Sequence, residues 1–257
     1  MQETEVCWNI TTRCNQNCKY CHKFLNIDEL EFEKNKQILM NLIKDEIRDI
    51  TWTGGEALLY PNLKELLKIA KENGVNNKLI TNGMILAQSQ DMMEILNYLD
   101  CITLSIDSID DEINGKLGRG KNHYSNIKKI LEQTKNLNIL TNINTVVSQK
   151  NINNIKELLE FLNNYKINCW RVFKFMPLRE VAERNKKEFE ITDKQFEEIK
   201  NTIKTLNNTT KIEYRKETDM EEKYILIVAN GDIIKTEKGK DIKKGNALRQ
   251  RLVEFID

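Results

Sequence analysis

Three cysteines within one short loop, Cys14, Cys18 and Cys21, are the side chains best placed by spacing to do chemistry in this sequence. A structural zinc site takes four N or S ligands, commonly from two CxxC-type pairs. No second pair is present, although His22 follows directly and could complete a zinc set. Three thiolates suit a four-iron cluster better, with three irons held by protein and one left open. Three unrelated buried thiols remain the plain alternative. Further candidates punctuate the chain: Gly54-Gly55-Glu56, Asn82-Gly83, Ser105 with Asp107, Arg119 between Gly118 and Gly120, Asn144, and Met176-Pro177. Glycine lets a backbone approach a ligand closely, and a buried amide such as Asn144 needs partners.

These residues need a frame, and the hydropathy pattern supplies one. Short apolar runs at 7–11, 47–53, 78–81, 101–106, 139–147 and 169–175 read as strands. Between them, the segments 33–46, 62–73, 91–98, 124–135 and 153–163 have the length and periodicity of helices. Strands separated by helices pair in parallel with right-handed crossovers. The expected fold is therefore α/β, a partial (βα)6 barrel of the TIM type spanning residues 1–206, with a small C-terminal α/β cap over 207–257. In such folds chemistry collects at the C-terminal ends of the strands, which is where the candidates fall. In the cap, Asn230-Gly231 predicts a hairpin with a type I′ turn.

Composition removes other classes. The 257 residues carry 40 basic and 39 acidic side chains, a net charge of +1 that argues against a polycationic nucleic-acid surface. No apolar stretch is long enough to cross a membrane, and Met1 to Glu5 reads as no signal peptide. A cytoplasmic, reduced protein is expected. Cys7, Cys101 and Cys169 read as buried small hydrophobes, with Cys169 near enough to a strand end to approach a pocket. Trp8, Trp52 and Trp170 read as core or pocket lining. His123 reads as a loop or cap residue within reach of a ligand. The lysines from Lys235 to Lys244 alternate with acids and read as a solvated loop.

The cysteine loop with Tyr20 before its third cysteine, together with Gly54-Gly55-Glu56 closing the second strand, resembles the radical S-adenosylmethionine (SAM) superfamily. The resemblance implies a [4Fe–4S] cluster on Cys14, Cys18 and Cys21, whose open iron binds the methionine end of SAM. Reductive cleavage of SAM then yields a 5′-deoxyadenosyl radical that takes hydrogen from a substrate, with flavodoxin or ferredoxin as the expected electron donor. It also implies SAM contacts. Gly54 and Gly55 would lie against its amino group, with Glu56 steadying the turn. Ser105 and Asp107 would face its ribose, Asn144 would contact it, and Arg119 would grip its carboxylate as a bidentate fork. The strand end from Phe173 to Pro177 would bed the adenine, and Tyr20 belongs to the same cofactor-binding set.

A narrower resemblance runs from about Trp8 to Tyr224. Residues 104–112, Gly118-Arg119-Gly120 with His123, Ile143-Asn144, residues 170–173 and Tyr224 are similar to viperin-type SAM-dependent nucleotide dehydratases. That family turns a ribonucleoside triphosphate into its 3′-deoxy-3′,4′-didehydro form. On the substrate side the resemblance implies Tyr224 as a hydrogen or proton donor and Arg171 as the one cation kept at a matching position, while Lys174 and Arg179 from the following turn and Lys23 from the cluster loop are the candidates to substitute for the others. At the positions of that family's phosphate-binding cations stand Asp49, Asn142 and Cys169. A second reading is a radical SAM enzyme acting on another small metabolite or on a peptide. The tail resembles that group but has no cysteine after Cys169 for an auxiliary cluster, and only thirteen residues precede Cys14. A third is a non-catalytic iron–sulfur redox protein, which would leave Gly54-Gly55-Glu56 unexplained.

Overall fold

A computed structural model of the chain describes residues 5–206, 210–219, 225–237 and 240–255. One ten-stranded sheet organises them. Its strands are β1 (Glu5–Thr11), β2 (Asp49–Gly54), β3 (Asn76–Thr81), β4 (Cys101–Ser105), β5 (Leu140–Val147), β6 (Cys169–Lys174), β7 (Lys211–Arg215), β8 (Ile225–Ile227), β9 (Asp232–Glu237) and β10 (Lys240–Asn246). The spatial order is β10-β9-β8-β1-β2-β3-β4-β5-β6-β7. From β8 to β7 every neighbouring pair is parallel, whereas β8–β9 and β9–β10 are antiparallel. The six strands expected from the pattern are all present, so the fold is α/β with a largely parallel sheet, consistent with a partial TIM barrel.

Period-two alternation divides each strand between two faces. Val6, Trp8, Ile10, Ile50, Trp52, Ile102, Leu104, Ile143, Trp170 and Val172 face the helices and are fully buried. Trp8 and Trp52 stack with ring centroids 5.1 Å apart, and Trp52 Nε1 donates to Asn77 Oδ1 at 2.8 Å. All three tryptophans are thus core residues on the helix side. The alternate residues, among them Cys7, Asn9, Thr53, Ser105, Asn144 and Phe173, line the opposite face and open onto a cavity. A sheet covered by helices on one face leaves only the other for ligands.

The chain beyond residue 206 continues the sheet at both edges. β7 joins β6, with Cys169 opposite Lys211 and Phe173 opposite Arg215. Its KIEYR sequence hid it, because the apolar Ile212 and Tyr214 alternate with charges. β8 crosses to the far edge and pairs with β1, Val6 opposite Ile225. The β8–β9 hairpin forms, but not with the type I′ turn. Only Gly231 has positive φ there (82°), Gly231 N donates to Val228 O at 2.7 Å, and Val228 N donates to Asp232 O at 2.9 Å. That is the three-residue hairpin loop closed by a left-handed glycine. Two short helices, Met84–Gln88 and Asp111–Leu117, also escaped the sequence pattern. Each is too short for an apolar face to repeat.

Candidate active site

The cysteine loop leaves β1 and is held on both sides by backbone. On one side Gly55 N donates to Thr11 O and Glu56 N to Arg13 O, both at 2.8 Å. A Cβ at Gly54 or Gly55 would overlap the Thr11 or Arg13 carbonyl oxygen, and Gly54 has φ 153°. Both glycines are therefore required by the approach of β2 to the root of the loop. On the other side Asn17 N donates to Gly118 O at 3.2 Å and Lys19 N to Leu117 O at 3.0 Å. Gly118 has φ 84°, and a Cβ there would strike Asn17 O. Gly118 is thus a contact residue of the loop, not merely a flexible neighbour of Arg119.

Between these footings Cys14, Cys18 and Cys21 all line the cavity. Gln16 N points at Cys14 Sγ and Lys23 N at Cys21 Sγ, each at 3.4 Å. Burial raises all three thiols, Cys21 to about 11. His22 does not join them, because its Nε2 bonds to Met176 O at 2.9 Å and burial pushes its pKa down to about 4. Among the described residues no three His, Cys, Asp or Glu side chains gather around a single-ion site. The donor set that lines the cavity is three thiols, the ligand type that iron–sulfur clusters take.

Asp107 is the node that fixes the rest. It is wholly buried, and its Oδ2 accepts from Arg119 Nε at 2.9 Å, Arg119 Nη2 at 2.6 Å and the Tyr20 hydroxyl. Its Oδ1 accepts from Val146 N at 2.7 Å. Arg119 Nη1 donates to Gln16 Oε1 at 3.2 Å, and the guanidinium lies 5.6 Å from the Tyr20 ring centroid. Gln16 Nε2 in turn faces His123 Nδ1 at 3.3 Å, while His123 Nε2 bonds to Ser105 O at 2.9 Å. A carbonyl only accepts, so His123 carries its proton on Nε2. Burial, then the Arg119 charge, push its pKa down to about 3. Arg119 and Asp107 line the cavity but hold each other, and Asp107 Oδ2 is filled by three donors. Gln16 was missed in the sequence because an isolated glutamine carries no pattern.

Asn144 and Ser105 are neighbours in register on β5 and β4 and both line the cavity. Asn144 Oδ1 is buried with no partner. Buried amides are normally satisfied, so this atom marks where a ligand's donor belongs. Asn82 lines the same wall, its Nδ2 donating to Asn15 Oδ1 at 2.8 Å and lying 3.9 Å from Cys14 Sγ.

Other sequence candidates take different places. Glu56 lies outside the cavity lining, 1% exposed. Its carboxylate accepts from Thr81 Oγ1 at 2.9 Å, Asn82 N at 2.8 Å and Leu58 N at 3.3 Å, so it ties the ends of β2 and β3 together. Lys174 projects to the helix side and pairs with Asp193 at 2.7 Å. Arg171 lies 3.3 Å from Glu213 and does not line the cavity. Tyr224 lies outside the described residues. Cys7, read as a plain core thiol, lines the cavity, and burial pushes it up to about 12. Cys101 also faces the inside of the sheet, where Asn142 Nδ2 meets its sulfur at 3.1 Å.

The cavity measures about 370 Å³. The three cysteines stand at its wall, with Asn144, Ser105, Gly54 and Gly55 on the β2–β5 side and Cys7, Leu226, Ile234, Thr236 and Arg179 on the β8–β10 side. Residues 8–162, which carry the loop, both clamps and Asn144, match the family described as Radical SAM superfamily. The chain belongs to the radical SAM superfamily.

Members of this superfamily use a [4Fe–4S] cluster and SAM. Among the relatives, a protein of Flammeovirga pacifica named S-adenosylmethionine-dependent nucleotide dehydratase is 31% identical over 241 residues, covering 88% of this chain and 80% of that one. The sporulation killing factor maturation protein SkfB of Bacillus subtilis (strain 168) is 27% identical over 198 residues, covering 74% of this chain and 46% of that one. Among solved structures, Streptococcus suis SuiB bound to SAM superposes with a TM-score of 0.76 at 18% identity, covering 98% of this chain and 64% of that chain. That likeness is one of fold. No helix among the described residues is long and apolar enough to cross a membrane.

The residues fit the two cofactors. Three thiols share a wall, glycine footings hold their loop, and the orphaned Asn144 oxygen faces the same space. Cys14, Cys18 and Cys21 are the residues that would hold a cluster here.

Proposed function

We propose that this protein is a SAM-dependent enzyme that removes a hydrogen atom from a nucleotide and eliminates a hydroxyl from its ribose; the nucleotide dehydratase name of the Flammeovirga pacifica relative supports this reading. The observation that supports the reading is one cavity that runs from the three cysteines to Arg179, Thr236 and Asp241 on the β8–β10 side. When bound, a [4Fe–4S] cluster with one open iron supplies the electron that splits the sulfur–C5′ bond of SAM. The chain's own residues bind, aim and exclude water. Asn144 Oδ1 accepts a hydrogen bond from SAM. Gly54 and Gly55 keep the β2 end flat beside it, and Ser105 offers a hydroxyl on the adjoining strand. Asp107 and Arg119 act from behind, holding Tyr20 and Gln16 and hence the cysteine loop. The apolar side chains of Phe173, Leu226 and Ile234 keep the radical's surroundings dry. Loss of the ribose hydroxyl as water then takes up one proton and one electron, the latter from a flavodoxin or ferredoxin.

The test is anaerobic incubation of the reconstituted protein with SAM, a reductant and a panel of ribonucleotides, read by mass spectrometry. A product lighter by water and keeping its base and phosphates is expected, with one 5′-deoxyadenosine per turnover. Release of 5′-deoxyadenosine with every nucleotide unchanged would transfer the reading to another metabolite or a peptide. The pairing of Arg171 with Glu213 favours that second reading, because it occupies a cation that a triphosphate would need.

A further inference from the structure

Arg179 stands where β6 turns into the helix Arg179–Arg184, with φ 60°, a conformation that costs a non-glycine residue energy and is kept where the surroundings demand it. Its guanidinium is fully oriented. Nη1 donates to His22 O at 2.7 Å, and the plane lies 4.1 Å from the Phe24 ring centroid. The remaining fork, Nε and Nη2, meets the two carboxylate oxygens of Asp241 at 2.8 and 3.0 Å. Asp241 belongs to β10, the edge strand, and is steadied by Thr236 Oγ1 at 2.8 Å. Arg179, Asp241, Thr236 and Phe24 all line the cavity. Each side chain of the ion pair is 25% exposed, so solvent and solutes in the cavity reach it.

This geometry is that of an anion seat with a carboxylate already in it. A planar fork set by stacking and by a carbonyl is shaped for the two oxygens of a carboxylate or a phosphate. The seat lies on the β8–β10 side of the cavity, apart from Asn144, Ser105 and the glycines of β2. Lys23 lines the same cavity and has no carboxylate partner among the described residues. We propose that Arg179 is the residue that recognises the substrate's anionic group, and that Asp241 is a resident stand-in which that group displaces. Resting on the nucleotide reading above, this group is a phosphate, although a carboxylate has the same two-oxygen chemistry.

The test uses the full-length, cluster-reconstituted protein and two probes, inorganic tripolyphosphate and tricarballylate, with binding followed by anaerobic calorimetry. Asp241→Asn removes the competing charge and is expected to tighten binding of the preferred probe by about tenfold, as for one charge-assisted contact. Arg179→Gln is expected to weaken it by at least about tenfold, and Arg179→Lys to restore only part, since an ammonium lacks the fork. Tightest binding by tripolyphosphate assigns the seat to phosphate, and tightest binding by tricarballylate assigns it to carboxylate. If Arg179→Gln does not fold, Asp241→Asn and Arg179→Lys carry the test. Binding that none of the variants alters, or that Asp241→Asn weakens, overturns the assignment. Probe binding that follows both residues, while no nucleotide is converted, would refute the nucleotide reading and leave the seat standing. Nucleotide conversion unaffected by the variants would do the reverse.

Discussion

Replacing Asp107 by asparagine keeps its shape and removes its charge. The wild-type carboxylate is 0% exposed and its partner Arg119 is 7% exposed in the side chain. Four donors converge on it, two from Arg119, one from Tyr20 and one from Val146. The asparagine must turn an NH₂ group toward some of these donors and leaves the Arg119 charge uncompensated. Breaking a buried pair by removing one partner costs about 3–5 kcal/mol, a large share of a stability of about 5–15 kcal/mol. Urea unfolding under anaerobic conditions, followed by circular dichroism, should show that loss. The reduced cluster should also broaden in its electron paramagnetic resonance spectrum, because Tyr20 and Gln16 sit on the loop that carries the cysteines. The double variant Asp107→Leu/Arg119→Met, which removes both charges, should recover most of the stability but not the narrow spectrum. A loss below about 1 kcal/mol for Asp107→Asn, the scale of an exposed pair, would refute the claim that this node is buried and holds the loop.

Gly118→Ala should cut cluster incorporation severely, measured as iron and sulfide per chain, because its φ of 84° and its Cβ position against Asn17 O both penalise a side chain. Asn144→Ala should weaken SAM binding by about 5–10-fold, one net hydrogen bond, while leaving the unfolding midpoint unchanged or higher, since the buried oxygen has no protein partner to lose. For His123 the folded pKa of about 3 lies below the ordinary 6.5. The unfolded chain therefore binds the extra proton first, and stability is present above pH 6.5 and lost as pH falls toward 3. Between pH 6.5 and 5 the loss from this residue is about 2 kcal/mol, and His123→Gln should flatten that part of a melting-temperature profile against pH.

The parallel strands and the cysteine loop were readable because both depend on local pattern: apolar runs at helix-length intervals, and three thiols close in sequence. Functional detail was less readable where it depends on tertiary contact. Gly54 and Gly55 are required, but by the Thr11–Arg13 backbone; that reason exists only once β1 and β2 are side by side. Arg119 reads as a free fork until Asp107, on the preceding strand end, is seen to occupy it. Lys174 and Arg171 differ in accessible face by strand parity and in availability by partners, Asp193 and Glu213, that lie in other elements. Cys7 looked ordinary because its run is apolar; parity alone puts it on the cavity face, and that signal was available.

The pairing of β8 with β1 has a consequence for how the protein is made. β1 carries the root of the cysteine loop and is synthesised well before β8, so Val6 finds its outer partner only when Ile225 has been made. Contacts so distant in sequence form late and slowly. Until then one edge of β1 stands open beside the three thiols, a template for pairing with other chains. The wall of the cavity formed by Leu226, Ile234 and Asp241 is missing for the same interval. The cysteine loop is thus most accessible to iron–sulfur delivery, and to oxygen, before the tail of the sheet arrives to enclose it.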